Sequence, residues 1–341
     1  MKIVYVLDNI PPLLEENSIF LAGGTYREKE NYSKSWRLDA IKYFEDLGFE
    51  GTLIVPEWKD GVKPKDWTYS RQVSWEKDGM DRSEIILFWI PRDKDDLPCF
   101  TTNIEFGHAL GTRFKESFTV GFPEGSYKNR YIKERCSQAG IPVLNTLKDL
   151  VKHTISLVDV YESKTFVTAD THFGSKRTLE LSKRPFEDEF EMDKFTRCNW
   201  EGMVDNRDTV IHLGDIGDPS VLLTLPFKKL ILLPGNYDTE EILDFVKADP
   251  RVEIIENNHE IELPIVGKVK LVHEPEKAND PNAFYLYAHV HKLSMIKRNG
   301  LNVGVDCHDF YPMDTETIAF YKNAIQNHYD KNVFMEALGE K

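Results

Sequence analysis

Three apolar segments between residues 165 and 233 each end on a turn that carries an acidic, imidazole or amide side chain. The first leads into Asp170-Thr171-His172, the second into Gly214-Asp215 and the third into Gly235-Asn236. Short apolar runs before glycine-marked turns predict buried β-strands. Because ligands of α/β sheets bind at the carboxyl ends of the strands, we expect these polar side chains to meet at one edge of a sheet.

Three histidines follow two later apolar segments. His273 follows residues 269–272, and His289 and His291 follow residues 284–287. The complete candidate ligand set is Asp170, His172, Asp215, Asn236, His273, His289 and His291. Mixed oxygen and nitrogen ligands suit a transition metal better than Ca²⁺. One such motif alone would be explained better by a capped strand or a closed turn. The whole series, in order at strand ends, predicts a centre for two divalent metal ions (Mn, Fe, Zn, Ni or Mg) of the kind that catalyses phosphoryl transfer.

The size and charge of the chain narrow the classes of protein to which it can belong. Its 341 residues are about right for two domains, and 41% hydrophobic with 29% charged residues is typical of a globular protein. The net charge of −14 disfavours a nonspecific grip on long nucleic acid, which needs a basic surface. A small anionic substrate stays compatible with that charge, because bound metal ions invert the local electrostatics.

The cysteines and the apolar segments predict the cellular location of the protein. Four cysteines (Cys99, Cys136, Cys198 and Cys307) form no CxxC pair, so we expect neither a disulfide framework nor a thiolate zinc site. Asp8 interrupts the apolar start of the chain, and no apolar run approaches the length of a membrane span. We therefore expect a cytoplasmic protein, in the host cytoplasm if it is phage-encoded.

The first half of the chain alternates strand-like and helix-like segments, which predicts a mostly parallel α/β sheet. Strands are predicted at 1–7, 18–22, 51–56, 84–91, 117–121 and 141–144, and helices at 36–47, 101–114 and 147–161. We place the domain boundary so that the two domains are 1–160 and 161–341. The last part of the chain is β-rich, with strands near 252–256, 259–263, 268–273, 283–288 and 301–305. Residues 314–336 fit a strand or a helix equally well.

The order of polar motifs in the second half resembles that of the calcineurin-like metallophosphoesterases, over residues 165–312. The matching motifs are Asp170-x-His172, Gly214-Asp215-x-x-Asp218, Gly235-Asn236-Tyr237-Asp238, His273 and His289-x-His291. Small bacterial and phage phosphoesterases also share Arg184-Pro185-Phe186 and the segment 302–306. The resemblance implies an α+β domain, a β-sandwich flanked by helices. It implies one ion held by Asp170, His172, Asp215 and His291, and a second held by Asp215, Asn236, His273 and His289. Asp215 would then bridge the two ions, and Asp215 and Asn236 would count as catalytic residues.

Two positions depart from that family's motifs. Tyr237 stands where the family usually has a histidine that stabilises the phosphate or protonates the leaving group, and Ala288 stands where glycine usually precedes the last His-x-His. Some relatives lack the histidine and remain enzymes. We expect Tyr237 to contact the substrate. His308 is a candidate replacement acid, although an ordinary surface histidine explains that residue better.

Glu105 is the candidate catalytic residue of the first half. A carboxylate on a helix beyond a strand end can attack an anomeric carbon, but spacing alone favours a solvated helix residue. The neighbouring motifs resemble the nucleoside 2-deoxyribosyltransferase-like family over residues 18–145. They are 21–25, Trp36-Arg37, Pro56-Glu57, Trp75-Glu76, 87–91 and Thr102-x-x-Glu105-x-Gly107.

This second resemblance implies a flavodoxin-like, doubly wound parallel sheet. Glu105 would attack C1′ of a deoxyribonucleoside or nucleotide, and Asp81 would assist the base. The residues expected to bind the substrate are Gly23, Gly24, Thr25, Trp75 and Glu76.

These patterns together predict a bifunctional nucleotide-processing enzyme. The second domain would hydrolyse a phosphate ester, and the first would bind, and cleave or transfer, an N-glycosidic bond. Three alternatives stay open: a first domain that only binds or sequesters a nucleotide, a degenerate phosphoesterase that serves as a scaffold, and a nuclease. The expected partner is a small nucleotide or phosphate ester. A homo-oligomer is possible, since relatives of the first domain often form one, but no residue in the sequence indicates it.

Overall fold

The computed structural model describes residues 1–11, 17–26, 35–330 and 333–334. The chain divides into two compact units, Met1–Glu162 and Ser163–Lys341, which we call the N-terminal and C-terminal units. The division falls two residues after the boundary placed from the sequence. No helix in the described ranges is both long and apolar enough to cross a membrane.

A six-stranded parallel sheet forms the centre of the N-terminal unit, which confirms the mixed α/β prediction for this half. Its strands are β1 (Lys2–Tyr5), β2 (Ser18–Gly23), β3 (Thr52–Val55), β4 (Ile85–Trp89), β5 (Phe118–Gly121) and β6 (Val143–Leu144). They lie in the order β1-β3-β2-β4-β5-β6. Apart from the edge strand β1, this is the order of a flavodoxin-like doubly wound sheet.

Helices cover both faces of this sheet. They are α1 (Trp36–Asp46), α2 (Tyr69–Arg82), α3 (Phe100–Thr112), α4 (Arg130–Ala139) and α5 (Leu147–Val160). Successive residues of β2 face opposite sides: Ile19 joins a core with Ala40 of α1 and Val151 of α5, whereas Phe20 joins a core with Phe106 of α3. Because both faces are buried, these strands appear in the sequence as continuous apolar runs.

Two five-stranded sheets share one apolar core in the C-terminal unit. The first consists of β7 (Thr165–Thr168), β8 (Thr209–His212), β9 (Lys229–Leu232), β10 (Val252–Ile254) and β16 (Met313–Asp314), in the order β10-β9-β8-β7-β16. The second consists of β11 (His259–Leu263), β12 (Gly267–Leu271), β13 (Tyr285–Tyr287), β14 (Ile296–Lys297) and β15 (Gly300–Asn302), in the order β11-β12-β13-β15-β14. Val167 and Ile211 of the first sheet and Leu286 and Leu301 of the second lie in the shared core.

Helices flank the first of these sheets. They are α6 (Lys176–Leu181), α7 (Glu189–Glu201), α8 (Pro219–Leu222) and α9 (Glu240–Lys247). Phe166 and Leu230 on the outer face of the sheet share a core with Trp200 of α7 and Val246 of α9. The segment that fitted either a strand or a helix contains mainly α10 (Thr315–Asn327), which begins where the Asp314 carboxylate accepts a hydrogen bond from the Thr317 amide at 2.7 Å.

The carboxyl ends of β7 and β15 meet in the C-terminal unit, and this junction positions the site. Ala169, just beyond β7, pairs in parallel with Gly304, just beyond β15. A Cβ atom on Gly304 would lie only 2.5 Å from Oδ2 of Asp170. Glycine at 304 therefore lets the second sheet approach the Asp170 carboxylate.

Candidate active sites

Five of the seven candidate ligands have a left-handed backbone. The dihedral angle φ lies between 47° and 73° at Asp170, His172, Asp215, His289 and His291. This conformation is uncommon for residues other than glycine and costs on the order of 1 kcal/mol or more at each position. Residues of this kind cluster at functional sites, where the surrounding structure holds them in place. Here each one turns the chain sharply, shortly after a strand ends.

Asp215 lies at the centre of the cluster. Its Oδ2 is 3.3 Å from Nε2 of His273 and 3.6 Å from Nε2 of His172. Two groups of potential ligands share this carboxylate: Asp170, His172 and Asp215 form one, and Asp215, His273 and His289 form the other. Within each group, the donor atoms lie within 4.8 Å of one another.

Asn236 and His291 extend these two groups. Oδ1 of Asn236 lies 3.1 Å from Nε2 of His273 and 2.9 Å from Nδ1 of His289. The His291 ring stacks on the His172 ring, with 5.4 Å between centroids. The structure therefore brings all seven candidate ligands to one cluster, at the carboxyl ends of strands from both sheets.

The donor set is suitable for divalent cations. Nε2 of His172 is buried and has no hydrogen-bond partner among the described residues. Burial lowers the pKa of His172 to about 3, so the ring is neutral at physiological pH, as a metal ligand must be. A buried ring nitrogen that no protein group satisfies, facing a carboxylate, is the arrangement expected of a metal ligand.

A buried ion pair orients His291. Oδ2 of Asp306 accepts hydrogen bonds from Nδ1 of His291 and from Nη2 of Arg184, both at 2.7 Å. Although burial opposes ionisation, the hydrogen bond from His291 and the Arg184 charge lower the pKa of Asp306 to about 2. Arg184 also donates to the backbone carbonyls of Asp170 and Thr171. Because Nδ1 of His291 is the donor here, its Nε2 can offer a lone pair to a cation.

Hydrogen bonds within the loops hold the other ligands. The Asp238 carboxylate accepts from the amides of Asp215 at 2.8 Å, Ile216 at 3.0 Å and Gly235 at 2.8 Å, which ties the second and third loops together. Nδ1 of His273 donates to the Leu213 carbonyl at 2.6 Å, so its Nε2 faces Asp215. Gly235 has no room for a side chain, because a Cβ atom would lie 2.2 Å from Oδ1 of Asp215.

Tyr237 lies on the exposed side of this cluster. Its side chain is 47% exposed, and its ring centroid is 5.8 Å from that of His172. The guanidinium of Arg177 lies 5.3 Å from the Tyr237 ring. A cation and an exposed aromatic ring therefore flank the candidate ligands where solvent reaches them.

The position of His308 does not favour the role of a replacement acid. Its Nε2 donates to the backbone carbonyl of Asn302 at 2.7 Å, and burial lowers its pKa. The proton that an acid would deliver is held by a structural hydrogen bond. The side chain is partly buried, which differs from the surface position predicted from the sequence.

Glu105 lies on α3 of the N-terminal unit beside a second carboxylate, Glu76 of α2. Burial, with the Glu76 charge, raises the pKa of Glu105 to about 7, and Arg37 opposes the shift. Burial also raises the pKa of Glu76, whose Oε1 accepts a hydrogen bond from Gln72 at 2.7 Å. Two carboxyl groups that share a buried site tend to share one proton, because both cannot be ionised cheaply.

A buried arginine fixes the predicted substrate loop at the carboxyl end of β2. Arg37 donates to the carbonyls of Gly23 at 2.8 Å and Gly24 at 3.2 Å, and to Oγ1 of Thr25 at 3.0 Å. Its charge is balanced by Glu57, at 2.8 Å. Arg37 therefore links the loop at 23–25 to α1, and its charge also reaches Glu105.

Glu76 is the carboxyl group whose charge acts on Glu105, whereas Asp81 is the residue expected from the sequence to assist the base. Asp81 forms an ion pair with Lys77, one turn earlier on α2. It lies five residues after Glu76, or roughly 140° around a helix, and so points to a different side. Trp75, another candidate substrate contact, donates from Nε1 to the carbonyl of Asp8 at 2.8 Å.

Known proteins are similar to parts of this chain. Residues 16–124 match the family described as nucleoside 2-deoxyribosyltransferase like, in agreement with the resemblance seen in the sequence. An uncharacterized protein of Methanocaldococcus jannaschii is 25% identical over 171 residues, which cover 46% of this chain and 89% of that protein.

Two solved structures are more distantly similar. A protein of unknown function from Aquifex aeolicus has 21% identity and a TM-score of 0.39, covering 47% of this chain and 100% of its own. Nuclease MPE of Pseudomonas putida has 20% identity and a TM-score of 0.27, covering 37% of this chain and 61% of its own. These similarities are too low to support an argument about activity.

Proposed function

We propose that the C-terminal unit is a two-metal phosphoesterase of the calcineurin-like kind. The observation that supports it most is the position of Asp215 between two groups of ligands. One cation would be held by Asp170, His172, Asp215 and His291, and the other by Asp215, Asn236, His273 and His289. Such cations, when bound, activate water and neutralise the charge that develops on a transferring phosphoryl group.

The residues around the ligands have supporting roles in this proposal. The Arg177 guanidinium attracts the negative phosphate to the exposed side, next to Tyr237. Tyr237 lacks an imidazole that could protonate the leaving group near neutral pH. The proposed substrate is therefore an ester with a good leaving group, or one that brings its own proton donor.

A hydrolysis assay tests this function. Wild-type protein would be incubated with Mn²⁺ and either bis-p-nitrophenyl phosphate or p-nitrophenyl phosphate, and compared with Asp215→Asn. Asp244→Asn, at an exposed position of helix α9, makes the same chemical change away from the site and serves as the control. We expect metal-dependent release of p-nitrophenol that only Asp215→Asn abolishes, and the preferred ester distinguishes a diesterase from a monoesterase. Metal binding without turnover of any ester, natural nucleotides included, would instead support the scaffold alternative.

For the N-terminal unit, we infer a site that binds a deoxyribonucleoside or nucleotide and cleaves its N-glycosidic bond. The family match over residues 16–124 and the paired carboxyl groups support this role. The ionised Glu105 oxygen would form a bond to C1′ while the C1′–N bond breaks and its electron pair leaves with the base. Protonated Glu76 would supply a proton to the departing base. A second base or water would then displace Glu105.

The alternative for this unit is a binding module without catalysis. Glu105→Ala separates the two, with Glu116→Ala, an exposed residue outside α3, as the control. Catalysis predicts that wild-type protein releases free base from deoxyribonucleosides or their 5′-phosphates and that Glu105→Ala does not. Binding alone predicts that the affinity survives the substitution and that no free base forms even with the wild-type protein.

A further inference from the structure

A cavity of about 420 Å³ lies between α3 and α4 of the N-terminal unit. Its apolar wall includes Phe106, Leu110 and Ile132, and its polar rim includes three cations, Arg92, Lys128 and Arg135. The volume is in the range of small-molecule sites, roughly 300–1,000 Å³. We call it the basic groove.

The basic groove is distinct from the site of Glu105. Asn103, Phe106, Gly107 and Leu110 of α3 line the groove, and Glu105 does not. Each residue of a helix turns by roughly 100°, so Glu105 points about 100° away from Phe106 and about 160° away from Gly107. The Glu105 side chain instead interacts with Glu76 and Arg37.

The three cations lack carboxylate partners. Within the described ranges, neither Arg92, Lys128 nor Arg135 forms an ion pair, and no Asp or Glu lines the groove. By contrast, the buried arginines Arg37 and Arg184 are both neutralised by carboxylates. Three like charges around one cavity repel one another, and an anion between them removes that repulsion.

The groups around the groove are already positioned to bind an anion. Arg92 is held by Asn103, whose Oδ1 accepts from Nη2 at 2.5 Å, while the shielded Nε has no partner among the described residues. Helix α4 starts at the groove, and the side chain of its N-cap residue Asn129 donates to the Ile90 carbonyl instead of capping the helix. The partial positive charge of this helix end adds to that of the three side chains.

We infer that the basic groove binds a mononucleotide or a similar phosphorylated molecule, at a second site besides that of Glu105. The phosphate would lie among Arg92, Lys128 and Arg135, where guanidinium groups can donate two parallel hydrogen bonds. The aromatic base of the nucleotide would lie against Phe106, which lines the groove, and against the largely exposed side chain of Tyr131. This inference does not depend on either proposed activity.

Isothermal titration of the full chain with dAMP tests the site, in the presence of EDTA so that metal-dependent binding does not contribute. Every groove and control variant is also made in the Glu105→Ala background, which cannot cleave the ligand. Two variants disrupt the groove. Arg135→Glu reverses a charge that has no hydrogen bond or ion pair with any described residue, and Gly107→Glu places a carboxylate in open space. Their matched controls are Lys133→Glu on another side of α4 and Gly111→Glu one turn later on α3, also in open space. Pyrophosphate and deoxyadenosine separate the contributions of phosphate and ring.

The expected result is binding of dAMP that weakens about tenfold or more in the two groove variants and changes less than about twofold in the two controls and in Glu105→Ala. Thermal melting verifies that all variants are folded. If wild type binds neither dAMP nor pyrophosphate, or if all variants bind alike, the site is overturned. If pyrophosphate binds as tightly as dAMP, the groove takes phosphate anions and the assignment to nucleotides is wrong.

Discussion

The two units handle buried carboxylates in opposite ways. In the C-terminal unit, Asp215 is surrounded by imidazoles and an amide, which are nitrogen and oxygen donors suited to cations. In the N-terminal unit, Glu105 lies beside another carboxyl group, and burial together with the charge of that group raises its pKa to about 7. We propose that metal ions complete the first arrangement and that a shared proton completes the second. The comparison indicates that the groups around a buried carboxyl group determine its chemistry more than the identity of the acidic residue does.

The largest effects are expected when the proposed catalytic carboxylate of either unit is replaced. Asp215→Asn should lower phosphoesterase turnover by about 10²–10³-fold, because it removes the ligand common to both groups, and should leave base release unchanged. Glu105→Ala should abolish base release and leave hydrolysis of p-nitrophenyl esters unchanged. Both assays would be run on both variants. Loss of both activities in either variant would mean that the two sites do not work independently.

The second-largest effect is expected for Asp306→Asn. The substitution weakens the hold on His291 and leaves the buried Arg184 without its counter-charge. We expect metal affinity or turnover to fall about 10–100-fold and unfolding free energy to fall by about 3–5 kcal/mol. Chemical denaturation and Mn²⁺ titration measure the two effects. Asp309→Asn, an exposed position three residues later, is the control, and equal behaviour of both variants would contradict the orienting role of Asp306.

A smaller effect is expected in the pH dependence of base release. Glu105 must be ionised to attack C1′, and its pKa is about 7, so the rate should rise with pH through neutrality. The Glu76 charge contributes to raising that pKa, so Glu76→Gln should move the rising limb to lower pH, and it should also lower the maximum rate because glutamine cannot protonate the base. Asp81→Asn should leave it in place. A shift with Asp81→Asn and none with Glu76→Gln would reinstate Asp81 as the partner of Glu105.

The smallest expected effect concerns stability of the N-terminal unit alone. Gly111 lies in α3 with open space around it, so Gly111→Ala should stabilise the helix by about 0.5–1 kcal/mol. Five of the six tryptophans (Trp36, Trp58, Trp67, Trp75 and Trp89, but not Trp200) lie in this unit, so urea unfolding followed by tryptophan fluorescence reports on it. A decrease in the urea midpoint would show that Gly111 has a role that its open surroundings do not reveal.

The sequence brings the seven candidate ligands to one place for a physical reason. Each ligand stands within four residues of the end of an apolar strand, and the carboxyl ends of parallel strands meet at one edge. The position along the chain therefore nearly determines the position in space. The parallel sheet of the N-terminal unit is predicted because both its faces are buried. Its strands therefore appear in the sequence as continuous apolar runs.

The residues that the sequence misplaces or overlooks depend on information that is not local. Helix α2 is not predicted, because only Gly79 of it is buried, and without its helical phase Asp81 could not be separated from Glu76. Arg184 and Asp306 are 122 residues apart, so nothing local shows that they meet. The basic groove likewise combines a loop after β4 with α3 and α4, and α4 is so polar that it is not predicted either.

The number of metal ions bound per chain tests the account of Asp215 most directly. Metal-free protein would be dialysed against Mn²⁺ and analysed by inductively coupled plasma mass spectrometry, with His172→Ala, His273→Ala, Asp215→Asn and the control Asp244→Asn alongside. We predict two ions in the wild type and in Asp244→Asn, one in each histidine variant, and weakened binding of both in Asp215→Asn. A single ion in the wild type, or Asp215→Asn protein that still holds two ions tightly, would contradict a carboxylate shared by two metals.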